Sequence, residues 1–217
     1  MGVAVGDVPL ERVAVPLGGL DVRLWRAVQL ERFVDTEALL TADAPPEPPY
    51  WMHLWPGALA LARRVAVAAL DRRTRVLELG CGLALPALVA AQRGAAVVAC
   101  DWHRAPLVVA RRSAADNDSR LTCVQMDWRA PALRGGFDLC LGADIGYDQA
   151  AAPALAAALA RLTSPGGTVW LADSVNVTRP ALAAALADAG FTLGESQVRE
   201  EEEGRPVWVR IIEARRA

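Results

Sequence analysis

The stretch RVLELGCGLALPALVAAQRGAAVVACD, residues Arg75–Asp101, decides the fold of this chain. An apolar run ends at Leu79, a turn containing Gly80 and Gly82 follows, and a second apolar run ends in Asp101. This pattern predicts a strand, a glycine turn, a helix and a second parallel strand, which is how many nucleotide-binding units begin. Leu85 stands where the dinucleotide motif G-x-G-x-x-G has its third glycine, so the turn disfavours an NAD-dependent oxidoreductase.

Strand and helix patterns continue to alternate after this unit, and the strands are too uniformly apolar to have a solvated face. The chain then ends in two long strand patterns joined by the glutamate-rich segment 200–206, which we expect to be a solvated turn. Together these patterns predict an α/β, Rossmann-like sheet of seven strands flanked by helices, with an antiparallel last strand. The predicted strands are 75–79, 96–100, 121–126, 137–142, 168–173, 191–199 and 207–214, and the predicted helices are 57–70, 85–93, 104–117, 149–162 and 180–189.

The first 49 residues have a different pattern from the rest of the chain. Residues 8–33 alternate in short strand-like pieces, with a turn at Pro16–Val22, and predict a hairpin or two short strands. The proline-rich connector Ala42–Tyr50 cannot be helical. We therefore divide the chain into an N-terminal β extension, residues 1–49, and a main domain, residues 50–217.

Composition excludes several classes of function. The net charge of −2 gives no basic bias, so no nucleic-acid partner is expected. All 23 basic residues are arginine. No apolar run is long enough to span a bilayer, and the first residues do not form a signal peptide. The four cysteines are isolated singles, which disfavours a metal site and indicates reduced thiols in a cytoplasmic protein.

Two acids at predicted strand ends indicate the ligand of the glycine turn. Glu78 lies two residues before Gly80, where a carboxylate would repel a pyrophosphate but would bind an ammonium group. Asp101 ends the next strand, where a carboxylate can accept hydrogen bonds from both ribose hydroxyls. A nucleoside with an amino-acid tail satisfies both acids, so we predict S-adenosylmethionine as cofactor and S-adenosylhomocysteine as its product.

A third strand end adds two candidates. Asp127 could accept a hydrogen bond from the adenine amino group, and Trp128 could cover the edge of the ring. Alternatively, Asp127 caps a turn and Trp128 packs in the core. Trp102, directly after Asp101, could face the purine or could be a surface aromatic residue.

These motifs resemble the class I, seven-stranded S-adenosylmethionine-dependent methyltransferases, and the resemblance covers residues 50–214. Two segments, Pro49–Val65 and Gly142–Asp148, are similar to the lysine methyltransferase group called methyltransferase family 16, which includes the enzyme acting on the electron-transfer-flavoprotein β subunit. The group has a Trp-Pro segment before the first helix and a D-x-x-Y motif after the fourth strand. Gly146 stands where the group more often has a bulky residue, and Ala84 stands where its glycine motif often has a third glycine.

The resemblance implies roles for residues in both segments. Trp55 is expected to lie over the cofactor, and Ala143 is placed with the cofactor-binding residues. Trp55 belongs to an aromatic cluster with Tyr50, Trp51 and His53, which could instead be a plug at one end of the sheet.

Asp144 and Tyr147 of the D-x-x-Y motif are the candidate catalytic residues. A carboxylate at this strand end can accept a hydrogen bond from an amine and orient its lone pair, while Tyr147 walls the acceptor channel. Alternatively, Asp144 caps the next helix and Tyr147 packs against it; Asp148 is better placed as the cap.

The expected function is N-methylation, with a protein lysine as acceptor. The alternatives are a class I methyltransferase acting on a small-molecule N or O acceptor, and a protein that binds an adenosine ligand without catalysis. The sequence does not predict which molecule is the acceptor, or the oligomeric state.

Overall fold

The computed structural model describes residues 3–5, 8–28, 49–174 and 180–217. Short 3₁₀ turns cover Tyr50–Met52 and Gln149–Ala151. The helices are α1 (Pro56–Ala66), α2 (Leu85–Gln92), α3 (Arg104–Asp116), α4 (Ala152–Leu162) and α5 (Pro180–Asp188). The strands are β1 (Val3–Val5), β2 (Val8–Leu17), β3 (Leu20–Ala27), β4 (Arg75–Leu79), β5 (Ala96–Asp101), β6 (Leu121–Gln125), β7 (Phe137–Ala143), β8 (Thr163–Ser174), β9 (Phe191–Glu202) and β10 (Arg205–Arg216).

The predicted seven-stranded sheet is confirmed, with the order β6-β5-β4-β7-β8-β10-β9. The five strands from β6 to β8 are parallel, and β10 is antiparallel to both of its neighbours. Helices α1, α2 and α3 pack on one face of the sheet, and α4 and α5 pack on the other. Because the chain crosses from β5 and β6 back to β7 beside β4, the carboxyl ends of β4, β5 and β7 surround a crevice.

The acidic segment near the C-terminus differs from its prediction. Strand β9 extends to Glu202 and strand β10 begins at Arg205. The turn therefore consists of Glu203 and Gly204 alone, and both residues have positive φ. Glu200 is 8% exposed and forms an ion pair with Arg63 of α1, with 3.1 Å between Nε and Oε1. The expected solvated turn is therefore partly wrong, because the arginine of α1 neutralises a glutamate that the longer strand carries inward.

The predicted N-terminal hairpin forms between β2 and β3, around a turn at Gly18 and Gly19. Trp25 fastens it to α3: its backbone N–H donates to Ser113 Oγ at 3.1 Å, and its indole Nε1 donates to Asp116 Oδ2 at 2.9 Å. Leu17, Val22 and Leu24 are fully buried in the same core as the helices α1 to α3. Residues 29–48, which include most of the predicted connector, lie outside the described residues, and the domain boundary at 49/50 stays a prediction.

None of the described helices has the length and hydropathy needed to cross a membrane. The helices on the two faces bury apolar side chains from both sides of β4 and β7, as the unalternating sequence of these strands predicts. Glu78 and Asp101, near the ends of β4 and β5, are buried acids that face the crevice, which directs attention to that edge of the sheet.

Candidate functional site

A cleft lies at the carboxyl ends of β4, β5 and β7, with a cavity volume of about 90 Å³. A second concavity, of about 330 Å³, adjoins it and shares Trp102, Trp128, Ile145 and Tyr147 with it. The cleft brings together every residue that the sequence nominated for the cofactor and for catalysis except Asp127. These are Trp55, Glu78, Gly80, Gly82, Asp101, Trp102, Trp128, Ala143, Asp144 and Tyr147.

The glycine turn between β4 and α2 forms the floor of the cleft. Gly80 and Gly82 have φ of +59° and +48°, and a Cβ at Gly80 would lie 2.6 Å from Ile145 Cγ2. Glycine is thus required at position 80 both by the backbone conformation and by the close approach of Ile145. Ala84 also has a left-handed φ, of +59°, which explains why related motifs place glycine there.

Glu78 is buried to 1% exposure at the inner end of the cleft. Its Oε2 accepts a hydrogen bond of 2.9 Å from the backbone N–H of Ala87, in the first turn of α2. Burial raises the pKa of this carboxyl to about 8, although the Ala87 hydrogen bond acts in the opposite direction. This buried carboxyl forms no ion pair with the described residues, and a nearby cation would favour its ionised form.

Asp101 is 6% exposed, and both of its oxygens are anchored by backbone N–H groups. Oδ2 accepts from Gly82 at 3.1 Å, and Oδ1 accepts from His103 at 3.0 Å. Burial raises its pKa, and the hydrogen bonds from His103 and Gly82 oppose that rise. Because each carboxylate oxygen has a second lone pair, Asp101 holds the glycine turn in place and can still accept hydrogen bonds from a ligand.

Asp127 lies beside the cleft and not in its wall. Its carboxylate forms an ion pair with Arg129, with 2.8 Å between Oδ2 and Nη2, and Asp127 lines only the second concavity. The Arg129 hydrogen bonds lower the pKa of Asp127. Trp128 lines both cavities, and Trp102 is 46% exposed at their rim.

Asp144 follows β7 directly and has a left-handed backbone, with φ of +51°. Its Oδ1 accepts from the N–H of Ser174 at 3.2 Å, whereas its buried Oδ2 has no hydrogen-bond partner among the described residues. Burial raises the pKa of Asp144 to about 7, and the charge of Asp173 adds to the rise. The nearby backbone N–H groups of Ser174 and Gly57 lower the pKa of Asp144 and so oppose this rise. The N–H of Gly57 does not form a hydrogen bond with Oδ2.

The alternative role of Asp144 as a helix cap is not what the structure has. Asp148 caps the 3₁₀ turn before α4, because its Oδ1 accepts from the N–H of Ala150 at 2.9 Å. Asp144 instead lies against the N-terminus of α1, where a Cβ on Gly57 would approach its Oδ2 to 2.3 Å. The carboxylate is thus held between two strands and a helix end, and one of its oxygens is unsatisfied by the described residues.

Aromatic residues form the outer wall of the cleft. Trp55 donates its indole Nε1 to the carbonyl of Tyr50 at 2.8 Å, and the Tyr50 ring lies 5.9 Å from that of Tyr147. His53 Nε2 lies 3.1 Å from Glu202 Oε1 and so links this wall to the end of β9. Tyr50, Trp51 and His53 all line the cleft, which disfavours the aromatic plug as their main role.

Sequence reasoning did not nominate Ile145, Asp173 or Glu202. Ile145 fills the space above Gly80, and Asp173 and Glu202 place negative charge beside Asp144. Asp173 has a local signal, since it follows the apolar run of β8 as Asp144 follows that of β7. Glu202 has none, because its position depends on the length of the hairpin.

The family comparison decides the class of this site. Residues 76–167, which contain the glycine turn, Asp101 and the D-x-x-Y motif, match the model of a methyltransferase domain. Residues 76–167 are a methyltransferase domain.

Two relatives are similar to this chain. The electron transfer flavoprotein beta subunit lysine methyltransferase of Danio rerio is 35% identical over 123 residues, which cover 55% of this chain and 47% of the relative. The EEF1A lysine methyltransferase 3 of Mus musculus is 31% identical over 132 residues, which cover 56% of this chain and 55% of the relative. The matched segments thus span about half the length of each relative.

A solved structure has the same fold as this methyltransferase domain. The magnesium protoporphyrin IX methyltransferase of Synechocystis PCC 6803, crystallised with bound SAM, superposes with a TM-score of 0.59 at 23% identity. The superposition covers 73% of this chain and 76% of that one. At this identity the likeness establishes the fold alone.

Proposed function

We propose that this protein is an S-adenosylmethionine-dependent N-methyltransferase whose acceptor is a lysine side chain of another protein. The observation that carries the proposal is the convergence of three carboxylates, Glu78, Asp101 and Asp144, in one cleft of a methyltransferase domain. Two of them suit the two ends of the cofactor, and the third remains for the acceptor.

The chemistry of the cleft fits S-adenosylmethionine. The raised pKa of Glu78 marks a buried carboxyl without a cation, which the ammonium of the cofactor would supply. Asp101 would accept from the ribose hydroxyls, and the open backbone at Gly80 and Gly82 allows a ligand to approach closely. Trp102 and Trp128 would border the adenine, with Asp127 at its outer edge.

The acceptor side of the cleft fits an amine. When bound, the cofactor supplies a methyl group on a sulfonium, which a neutral amine can attack in line. The carboxyl group of Asp144, which lines the cleft, can accept an N–H of that amine, orient its lone pair and, with a pKa of about 7, receive its proton. The ring of Tyr147, with Tyr50 beside it, offers aromatic faces to an ammonium group.

A lysine acceptor is favoured by the two relatives, whose names state that they are lysine methyltransferases. A small-molecule N or O acceptor would use the same cofactor site, and a non-catalytic protein would bind the cofactor without transfer. The test below separates these alternatives.

We also propose that the protein is cytoplasmic, because its four cysteines are all free.

The test is methyl transfer from tritiated S-adenosylmethionine into a lysate of cells that lack the gene. We expect a labelled protein that yields methyllysine on acid hydrolysis, and heat-denatured protein should give no label. The chain contains no lysine, so methyllysine cannot arise from the protein itself. Label confined to small molecules would overturn the lysine acceptor, and cofactor binding without any transfer would support the non-catalytic alternative.

The ribose site can be tested by binding alone. We expect Asp101→Ala to weaken S-adenosylmethionine binding by about 2 kcal/mol, because it removes charge-assisted hydrogen bonds and loosens the glycine turn. Isothermal titration calorimetry measures this loss, with Asp138→Ala as a control at the opposite end of the sheet, where Asp138 accepts from the N–H of Arg75. Equal affinity in Asp101→Ala and wild type would mean that the ribose binds elsewhere.

A further inference from the structure

The turn that follows β7 and the end of β8 exchange hydrogen bonds through two aspartates. Asp144 accepts from the N–H of Ser174 at 3.2 Å, and Asp173 accepts from the N–H of Gly146 at 3.2 Å. The N–H of Asp144 also donates to the carbonyl of Ala172 at 2.7 Å, which continues the pairing of the strands. The turn after β7 and the end of β8 are therefore each held by a carboxylate of the other, an arrangement that we call the aspartate clasp.

The clasp depends on the absence of a side chain at position 146. A Cβ on Gly146 would lie 3.1 Å from Asp173 Oδ2 and 3.1 Å from Leu182 Cδ2. Both contacts are tighter than an ordinary van der Waals contact, and Leu182 is 2% exposed and cannot easily move. The carboxylate of Asp173 thus borders the space into which a side chain at position 146 would project, and it would have to shift by a few tenths of an ångström.

The charges around Asp144 come from several elements. Asp173 on β8 and Glu202 on β9 are negative, and Glu202 is paired with His53 of the segment before α1. On the opposite side, Asp144 meets the N-terminus of α1 at Gly57, which has no charged side chain. Among the charged side chains of the described residues, Asp173 has the largest influence on the pKa of Asp144.

We propose that Asp173 is a positioning residue that substitutes for a side chain at position 146, fixes the turn from Asp144 to Tyr147 and adds negative charge beside Asp144. The bond to Gly146 sets where the turn lies, and this turn carries both candidate residues of the acceptor side. The charge keeps Asp144 protonated to a higher pH than burial alone would. The effect on methyl transfer rests on the proposed function, whereas the clasp itself does not.

Nuclear magnetic resonance tests the clasp without an acceptor or a cofactor. The full chain is labelled with ¹³Cγ-aspartate, the Asp144 resonance is assigned with Asp144→Asn, and its titration is followed in Asp173→Asn and Asp173→Ala. We expect both variants to lower the Asp144 midpoint by at least about half a pH unit, because each removes one negative charge. Asp148→Asn, which changes the aspartate that caps the next 3₁₀ turn, should leave it unchanged.

Amide hydrogen exchange at Gly146 tests the positioning role. The asparagine side chain of Asp173→Asn keeps an oxygen that can accept from Gly146, so protection should persist, whereas Asp173→Ala should speed exchange at least about tenfold. Equal protection in both variants, or an unshifted Asp144 midpoint in Asp173→Asn, would overturn the proposal. An unprotected Gly146 amide in the wild-type protein would overturn it as well, whether or not the variants fold.

The rate of methyl transfer separates this inference from the proposed function. If Asp144 must be ionised to accept from the amine, its lower midpoint in Asp173→Asn should move the acid limb of the rate profile to lower pH by the same amount. A shifted midpoint with an unshifted acid limb would contradict the role of Asp144 in methyl transfer while still supporting the clasp.

Discussion

Replacing Glu78 by glutamine is expected to raise the dissociation constant for S-adenosylmethionine about 100-fold. Glu78 is 1% exposed, so the ammonium that it would bind has no water to replace the lost carboxylate. Removing one partner of a buried ion pair leaves the other charge uncompensated, which costs far more than the loss of a surface pair. Isothermal titration calorimetry with the purified full chain gives both constants.

Glu11→Gln is the matched control for this experiment. Glu11 pairs with Arg26 on the exposed hairpin, with 2.8 Å between Oε1 and Nε, and it does not line the cleft. The control variant should bind the cofactor as the wild type does. Wild-type affinity in Glu78→Gln would show that the ammonium lies elsewhere and would contradict the cofactor site proposed above.

The stability of the Glu78 variant should change in the opposite direction from its affinity. Burial raises the pKa of Glu78 from 4.5 to about 8, so without ligand this group favours folding below pH 4.5 and loses that contribution as the pH rises through about 8. Glutamine has no charge to bury and can still accept from the N–H of Ala87. Near pH 8, the unliganded variant should therefore melt at the same temperature as the wild type or higher.

The same carboxyl makes cofactor binding depend on pH. Near pH 7 the empty site holds Glu78 largely protonated, and an arriving ammonium favours the ionised form, so binding should release a proton. Apparent affinity should rise with pH towards about 8, as long as the ligand keeps its ammonium charge. Calorimetry in two buffers of different ionisation enthalpy detects the proton, and the effect should vanish in Glu78→Gln.

Replacing Asp144 by asparagine is expected to lower turnover at least about 100-fold and to change cofactor affinity by less than about twofold. Asparagine can still accept from the N–H of Ser174 through Oδ1, so the turn is retained, but it cannot receive a proton from the amine.

The measurement is the initial rate of tritium transfer into the acceptor found in the lysate, together with the calorimetric affinity. Asp138→Asn changes an exposed aspartate at the amino end of β7, outside both cavities, and should keep the wild-type rate. If Asp144→Asn turned over normally, the carboxylate would be structural, and the acceptor side of the proposal would be wrong.

The positions of the main acids could be predicted because they follow from the chemistry of strand ends. Apolar runs that stop at an acid place Glu78, Asp101 and Asp144 at one edge of a parallel sheet, and the structure places them in one cleft. Asp127 also follows a strand, but Arg129, two residues further on, turns its carboxylate into a surface ion pair. The sequence shows Arg129 close to Asp127, but it does not show that Asp127 pairs with this arginine and leaves the wall of the cleft.

Contacts between distant segments could not be predicted. Glu200 is buried because Arg63 of α1 meets it, and Glu202 acts on Asp144 because the hairpin is long enough to reach the cleft. Neither fact has a local pattern, because each depends on how two elements pack. The sequence shows glycine at position 146, where the family more often has a bulky residue, but it does not show that Asp173 lies beside this position.

The attachment of the β2–β3 hairpin to α3 limits how far the chain can be shortened at its N-terminus without loss of stability. Trp25 is held by Ser113 and Asp116 of α3, while Arg112 lies over its ring at 4.3 Å from the centroid. A shortened chain that began at the main domain would leave this side of α3, and the leucines beneath the hairpin, facing water. Deletion series, crystallisation fragments and fusion partners should therefore be designed around a cooperative unit that extends well beyond residues 76–167.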